Sequence, residues 1–275
     1  CLAESERKIL IKREGTMTQA ERRIFLIQQL LSEQPKYNSM TIPPGETEQK
    51  TLLRSLINIR QPYAVTDEFL SVQDKYLQNA LAQKGITELA SLTPVLDGIY
   101  LWRGDITTLR CDAIVNAANR GMTGCYLPCH SCIDNCIHTY AGVQLRLACA
   151  EIIKKQRQEE ATGTAKITPA YNLPCNYILH TVGPIIQGCL TQKDKALLAS
   201  CYRSCLELAE QNSIKSIAFC CISTGEYHFP NNEAAEIAVK TVRDYLRQTH
   251  SAIEVIFNVY KDIDYQIYKN IFTAN

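Results

Sequence analysis

The sequence of 275 residues lacks any marked excess of charge and any long apolar run. Its 29 basic and 28 acidic side chains give a formal net charge of +1, so we expect no general electrostatic attraction to nucleic acid or to an anionic membrane. No apolar segment approaches the roughly 20 residues that span a bilayer, and residues 1–15 are charged rather than typical of a secretion signal. The sequence therefore predicts a cytoplasmic protein whose partners include neither nucleic acid nor membrane.

Cysteine, in contrast, is abundant. The chain has 13 cysteines, an odd number spread over a long sequence, which favours reduced thiols over a disulfide framework. Several of them fall on predicted helices, strands or loops without ligand spacing, and buried thiols behave as small apolar groups. A cysteine nucleophile is the alternative, but no histidine and acid are spaced to activate one.

One cysteine-rich stretch, residues 124–135, has a different character and reads Gly-Cys-Tyr-Leu-Pro-Cys-His-Ser-Cys-Ile-Asp-Asn. Thiolate and imidazole are the ligands that zinc prefers, and a loop can wrap Cys125, His130 and Cys132 around one ion. Cys129 is a possible fourth ligand. Four protein ligands would indicate a structural zinc, whereas three would leave a position open for chemistry. Packing of thiols without a metal is the alternative, although Pro128 and a histidine between two cysteines argue against it.

The chain divides into three parts. Residues 1–16 precede the first methionine, Met17, and are predicted to be a flexible or cloning-derived extension. Residues 17–93 carry apolar positions at helical spacing but no motif of known chemistry, which indicates a helical N-terminal extension that acts as a cap or lid. Residues 94–275 alternate short β-rich runs with helical patterns, which predicts a three-layer α/β/α domain with a mixed, largely parallel central sheet.

The elements of this second domain follow from local pattern. The strands are predicted at Ile99–Trp102, Ala113–Ala117, Tyr177–Val182, Ile217–Ile222 and Glu254–Tyr260. The helices are predicted at 133–158, 193–212, 231–248 and 264–272. In such sheets ligands bind beyond the carboxyl ends of the strands.

Polar residues follow several of these strands. Asp105 follows the first, Asn116 and Asn119 belong to the end of the second, and the turn at 223–227 follows the fourth. Carboxamides can hold sugar hydroxyls, and a turn rich in hydroxyl and backbone N–H groups can cradle phosphates. Together they suggest a nucleotide-like ligand with a diphosphate. His138 and His180 lie inside a helix and a strand, where a structural role is the commoner one.

Three segments resemble, in order and spacing, the hallmark segments of macrodomains, which are ADP-ribose-binding modules. They are Gly104-Asp105-Ile106-Thr107, Asp112-Ala113-Ile114-Val115-Asn116-Ala117-Ala118-Asn119 and Cys221-Ile222-Ser223-Thr224-Gly225. The Cys-x4-His-x-Cys loop and the helical extension are similar to the zinc-containing subclass of bacteria and fungi, which removes ADP-ribose from modified proteins.

The resemblance implies a set of ADP-ribose contacts. Asp105 would accept from the adenine amino group, Asn119 would hold the distal ribose, and Tyr260 would stack on adenine. Ile106 would add a backbone contact beside the adenine. The full set implied is Asp105, Ile106, Asn119, Cys132, Ile133, Asp134, Ser223, Thr224, Gly225, Glu226, Tyr227 and Tyr260.

The resemblance also implies a zinc ion as cofactor, held by Cys125, His130 and Cys132 with its open position towards the distal ribose, and it leaves Cys129 out of the ligand set. We therefore expect a hydrolase that removes mono-ADP-ribose from modified proteins, with Asp134 and Asn119 as catalytic residues. The alternative is a non-catalytic ADP-ribose reader with a structural zinc.

Overall fold

The described residues of the N-terminal part of the chain form three α-helices. The computed structural model describes residues 17–37 and 39–274; the extension predicted for residues 1–16 lies outside them. The helices are α1 (Gln19–Ser32), α2 (Glu46–Ile59) and α3 (Asp67–Lys84). Thr18 and Thr66 cap the first and third helices through their side chains, and Gly85, with φ of +91°, ends the third. The predicted helical segment is thus confirmed.

These three helices share an apolar cluster. Leu26, Leu53 and Phe69, one from each helix, are at most 2% exposed. Val143, on a helix of the second domain, belongs to the same cluster, so the N-terminal helices are packed onto the rest of the protein.

The remainder of the chain forms an α/β/α sandwich. Its further helices are α4 (Ile133–Ala141), α5 (Val143–Gln156), α6 (Gln192–Gln211), α7 (Asn231–Thr249) and α8 (Asp262–Thr273). The strands are β1 (Thr87–Glu88), β2 (Pro94–Leu96), β3 (Ile99–Arg103), β4 (Leu109–Arg110), β5 (Ala113–Ala117), β6 (Ala165–Pro169), β7 (Tyr177–Thr181), β8 (Ser216–Phe219) and β9 (Glu254–Val259).

Seven strands make the central sheet in the order β2-β3-β9-β8-β5-β7-β6. The five inner strands are parallel, and β2 and β6 are antiparallel edges. Paired Phe219 and Phe257 meet Tyr202 of α6 and Tyr268 of α8, with ring centroids 4.9 and 5.3 Å apart. The predicted three-layer fold with a mixed, largely parallel sheet is confirmed.

The structure corrects several predicted elements. The helix predicted at 133–158 is broken at Gly142, whose φ is +98° and beside which Gln73 of α3 accepts a hydrogen bond from Val143 N at 2.9 Å. The strand predicted at Ile217–Ile222 ends at Phe219, so the next residues are free to begin a loop. The edge strand Ala165–Pro169 is absent from the prediction, because it is short and ends in proline. Within the described residues, no helix is both long enough and apolar enough to cross a bilayer.

Candidate functional site

The carboxyl ends of the parallel strands β3, β5, β8 and β9 lie along one edge of the sheet, which we call the carboxyl edge. The loops that follow these strands carry the residues predicted to bind a ligand. Gly104, after β3, has no room for a side chain, since a Cβ there would lie 2.2 Å from the ring of Trp102. Its carbonyl accepts from Asn258 Nδ2 of β9 at 3.0 Å, which fixes the start of this loop against the sheet.

Asp105 follows at the end of β3, as predicted for an adenine acceptor. Its Oδ1 accepts from Thr107 N at 2.9 Å and Thr107 Oγ1 at 2.6 Å, which caps a short 3-10 helix. Its Oδ2 pairs with Lys84, the last residue of α3. Burial raises the pKa of Asp105, but the bonds from Lys84 and Thr107 outweigh it and hold the pKa below its ordinary value. Asp105 is therefore a fixed, ionised acceptor.

Ile106 and Tyr260, the other two residues predicted to contact adenine, lie in different environments. The Ile106 side chain is 1% exposed and packs in the core, so that only its backbone is left for a ligand. Tyr260, directly after β9, is 78% exposed and presents its ring to solvent. An exposed aromatic ring next to a ligand edge is suited to stacking on a base, although this contact stays a prediction.

Asn119 and Asp134, the two predicted catalytic residues, are in contact. Asn119 Nδ2 donates to Asp134 Oδ2 at 3.2 Å and to the carbonyl of Gly124 at 2.9 Å. Both amide hydrogens are thereby used, which leaves the amide oxygen to meet a ribose hydroxyl. Burial raises the pKa of Asp134 to about 6, against the bonds from Asn116 and Asn119 that lower it. The residue is 5% exposed, a position suited to orienting Asn119 rather than to direct contact with water.

Asn116 corrects one interpretation of the sequence. It was a second candidate for sugar hydroxyls, but it is fully buried in β5. Its Nδ2 donates to Asp134 Oδ1 at 2.8 Å and lies 3.2 Å from His180 Nδ1. Asn116 therefore holds the carboxylate oxygen of Asp134 that Asn119 does not contact, and it has no access to a ligand.

Three predicted metal ligands are brought together in the loop between β5 and α4. The ligand atoms of Cys125, His130 and Cys132 all lie within 4.8 Å of one another, and Cys125 Sγ is 3.6 Å from His130 Nδ1. A tetrahedral zinc with bonds of about 2.0 Å to nitrogen and 2.3 Å to sulfur separates such atoms by about 3.6 Å. The donor set and its spacing thus fit zinc.

Local structure supports the same three residues. Cys132 is the N-cap of α4, where the positive end of the helix dipole favours a thiolate. Burial raises the pKa of the Cys132 thiol to about 12, so a cation is needed to keep this sulfur ionised. Cys129 Sγ lies elsewhere, 3.2 Å from Ser55 Oγ on α2.

A second group of possible ligands, His138, Cys149 and His180, is completely buried. Because Asn116 Nδ2 is a donor, His180 Nδ1 must accept, and His180 Nε2–H then donates to Thr168 Oγ1 at 2.9 Å. No lone pair of this ring remains for a metal. Burial lowers the pKa of His180 to about 3, so the ring is neutral. The structural role that the sequence favours for His180 fits this geometry.

The segment predicted to wrap a diphosphate, 223–227, is a tight loop after β8. Ser223 has φ of +65°, Phe229 N donates to its carbonyl at 3.0 Å, and Thr224 Oγ1 donates to Cys221 O at 3.0 Å. A Cβ at Gly225 would meet no atom within 4 Å, so the outer side of the turn is open. Such a turn can offer backbone N–H groups to phosphate oxygens.

The same loop reaches the metal-ligand cluster. Glu226 Oε1 lies 3.6 Å from His130 Nε2, on the side of the ring away from Cys125. Carboxylates commonly hold the second nitrogen of a metal-binding histidine. Burial raises the pKa of Tyr227, and the charge of Asp134 adds to that rise. Ile133, the first residue of α4, packs on the core beneath this region.

Residues of the N-terminal helices also contribute, which the sequence does not predict. Lys84 of α3 pairs with Asp105, and Arg54 of α2 donates to the carbonyl of His130 at 2.7 Å. The helices carry no motif, and contacts over 21 and 76 residues of sequence separation leave no local signal.

Comparisons with known proteins agree with this fold. The family model "Macro domain" matches residues 115–238. The "Protein-ADP-ribose hydrolase" of Treponema medium is 61% identical over 93% of this chain and 99% of its own length. The protein of that name from Staphylococcus aureus (strain MRSA252) is 50% identical over 91% of this chain and 95% of its own length. The Trypanosoma brucei macrodomain, solved in complex with ADP-ribose, superimposes with a TM-score of 0.62 and 31% identity over 79% of this chain and 94% of its own.

Proposed function

Because this chain belongs to the macrodomain family, we propose that it is a hydrolase that removes ADP-ribose from modified proteins. Both relatives named as protein-ADP-ribose hydrolases match almost their whole length, including the N-terminal helical part of this chain. The observation that supports the proposal best is the contact between Asn119 and Asp134 beside the loop of Cys125, His130 and Cys132.

We propose further that the substrate is mono-ADP-ribosylated protein and that the ligand lies along the carboxyl edge of the sheet. The adenine amino group would be held by Asp105, the diphosphate by residues 223–227, and the distal ribose by the amide oxygen of Asn119. Asp134, fixed by Asn116 and Asn119, orients that amide. The anomeric carbon would then lie beside the loop of the three candidate ligands.

The reaction is the hydrolysis of the bond between the anomeric carbon of the distal ribose and the acceptor side chain. Water adds to that carbon, the glycosidic bond breaks, and the proton of water passes to the released side chain, so the products are ADP-ribose and unmodified protein. Cys125, His130 and Cys132 would hold zinc, which when bound supplies a Lewis acid and lowers the pKa of a coordinated water. Asn119 positions the ribose for attack, and Glu226 orients the His130 ring.

A direct experiment tests both parts of this proposal. Turnover of a mono-ADP-ribosylated protein is measured on the purified protein, after removal of metal with a chelator, and after addition of zinc. We expect turnover to fall on chelation and to return with zinc. Turnover that persists without metal would contradict the zinc role alone. Tight ADP-ribose binding without any turnover would favour the alternative, a reader with a structural zinc.

A cytoplasmic location is part of the proposal. Twelve cysteines of the described residues are free, among them pairs that are close in sequence such as Cys220 and Cys221. Free thiols in this number are typical of a reducing compartment.

A further inference from the structure

The loop that carries the candidate metal ligands is irregular. From Cys125 to Cys132 it contains no helix or strand, and Cys129 adopts a positive φ of +54°. Asn135 of α4 ties the loop from one side, because its Nδ2 donates to Leu127 O at 2.9 Å. A loop of this kind has no internal ladder of hydrogen bonds, so its shape must be imposed by the surrounding structure.

One face of α2 provides that constraint. Thr51, Arg54, Ser55 and Asn58 follow the spacing i, i+3, i+4 and i+7, which places them on a single stripe of the helix. All four contact the loop or the helix that follows it. The stripe is polar, whereas neighbouring positions of α2 belong to the apolar cluster of the N-terminal helices.

Arg54 makes the most direct contact with a candidate ligand. Its Nη2 donates to the carbonyl of His130 at 2.7 Å and to Asn135 Oδ1 at 3.0 Å, and it lies 3.6 Å from Cys136 Sγ. One guanidinium nitrogen thus joins the backbone of the candidate ligand to the first turns of α4. Because a guanidinium is planar and its N–H donors have a rigid geometry, it can hold these acceptors in one relative position.

Asn58 holds the adjacent residue. It is completely buried, its Oδ1 accepts from Cys129 N at 2.9 Å, and its Nδ2 donates to Thr139 Oγ1 at 2.8 Å. The amide therefore pins the backbone at the residue with positive φ. Ser55 Oγ lies 3.2 Å from Cys129 Sγ, which keeps this thiol on the side of α2.

The end of α2 is itself fixed from the second domain. Arg146 of α5 is 5% exposed and donates through Nη1 to Ile57 O at 3.0 Å and Asn58 O at 2.8 Å. The same guanidinium lies 4.4 Å from the ring centroid of Tyr126, the residue after Cys125. A cation at the C-terminal end of a helix is favourable, so Arg146 connects α2 with the opposite side of the loop.

We infer that Arg54 and Asn58 are positioning residues of the metal loop, so that the N-terminal helical segment supplies the rigid support of a site whose ligands all lie elsewhere. This inference rests on the zinc site of the proposed function. Without the Arg54 contact, the loop would populate shapes in which His130 Nδ1 turns away from Cys125, and the apparent metal affinity would fall in proportion. Loss of a partner that orients a metal ligand costs about ten- to hundredfold in affinity.

The test compares Arg54→Met with Lys50→Met in the full chain. Lys50 is a cation on the same helix, and its amino group pairs with Glu46 at 2.8 Å. Lys50→Met therefore controls for the loss of one positive charge and for the introduction of methionine on α2. Zinc affinity is measured by competition with a chromogenic chelator, ligand geometry by the spectrum of the cobalt-loaded protein, and folding by the melting temperature of the metal-free protein.

We expect Arg54→Met to lower zinc affinity by about tenfold or more and to alter the cobalt spectrum. Lys50→Met should behave as wild type, and the metal-free melting temperature of Arg54→Met should stay within about 2 °C of wild type. Arg54→Lys, which keeps one charged donor, should recover part of the affinity, and it carries the test should Arg54→Met fold poorly.

Unchanged zinc affinity in Arg54→Met, with zinc bound by the wild type, would overturn the inference and leave the proposed function intact. A parallel loss of affinity and of metal-free stability in both Arg54→Met and Arg54→Lys would also overturn it, since that result indicates a general structural role. If the wild type itself binds no zinc, both the zinc site and this inference are wrong.

Discussion

Replacement of Asp105 by asparagine and by alanine separates its proposed contact with adenine from its local structural role. Oδ1 accepts from Thr107 N and Oγ1 at 2.9 and 2.6 Å, whereas Oδ2 pairs with Lys84 of α3. A hydrogen bond to a charged group is worth about 1.5–3 kcal/mol. If the carboxylate accepts from the adenine amino group, Asp105→Ala should weaken ADP-ribose binding by about ten- to hundredfold.

The asparagine variant tests the ligand contact without the loss of the local cap. Its amide oxygen can still accept from Thr107, but its second group is then an NH2, which cannot accept from the adenine amino group. Asp105→Asn should therefore weaken ADP-ribose binding about as much as Asp105→Ala, by about ten- to hundredfold. Asp105→Ala also removes the cap of the 3-10 helix at Ile106–Thr108, which costs about 1 kcal/mol and should lower the melting temperature by about 2–4 °C.

The assay is calorimetric titration with ADP-ribose, alongside ribose 5-phosphate as a ligand without adenine, and melting of each variant. The affinity for ribose 5-phosphate should not depend on Asp105, because this ligand has no amino group to donate. Unchanged ADP-ribose affinity in a folded Asp105→Ala protein would refute the reasoning and remove Asp105 from the site. Equal loss for both ligands would show a collapsed loop rather than a lost contact.

Three further predictions concern the metal loop. Elemental analysis should give one zinc per chain, and the zinc should be lost in Cys132→Ala but retained in Cys129→Ala. Equal loss of zinc in both variants would indicate a site with four protein ligands. His130→Ala should abolish turnover while ADP-ribose binding, measured by calorimetry, is at least partly kept; full turnover in this variant would exclude a chemical role for the metal. Gly124→Ala should destabilise the protein by about 1–3 kcal/mol, because φ is +84° and a Cβ would lie 2.7 Å from the buried His138 ring. Denaturant unfolding measures this loss. Unchanged stability of the variant would contradict the prediction and show that the His138 ring has room to move.

Much of the architecture follows from the sequence alone. The strand Ala113–Ala117 and the helices at 192–211 and 231–249 were predicted to within a residue or two, because apolar periodicity and capping residues are local properties. The three candidate ligands lie within eight residues, so their proximity is also a local property. The order of Asp105, Asn119 and the 223–227 turn after successive strands sufficed to place them on one edge, since parallel strands end on the same side.

The environment of those residues was decided by the tertiary structure. Asn116 and Asn119 carry the same side chain three residues apart, yet one is sealed beneath Asp134 and the other faces the loop of the metal ligands. Only the packing of β5 against its neighbours makes that distinction. The role of Asp134 as a buried support for Asn119 has the same origin.

The contribution of the N-terminal helices to the site could not be predicted from the sequence either. Arg54 and Asn58 are ordinary polar residues on an amphipathic helix, and their partners His130 and Cys129 lie more than 70 residues away. A hydrogen bond formed across that distance depends on how two packed units meet, which no local pattern encodes. The sequence by itself predicted which residues would bind a metal and a nucleotide. The tertiary structure decided which of them are exposed, which are held in place, and by what.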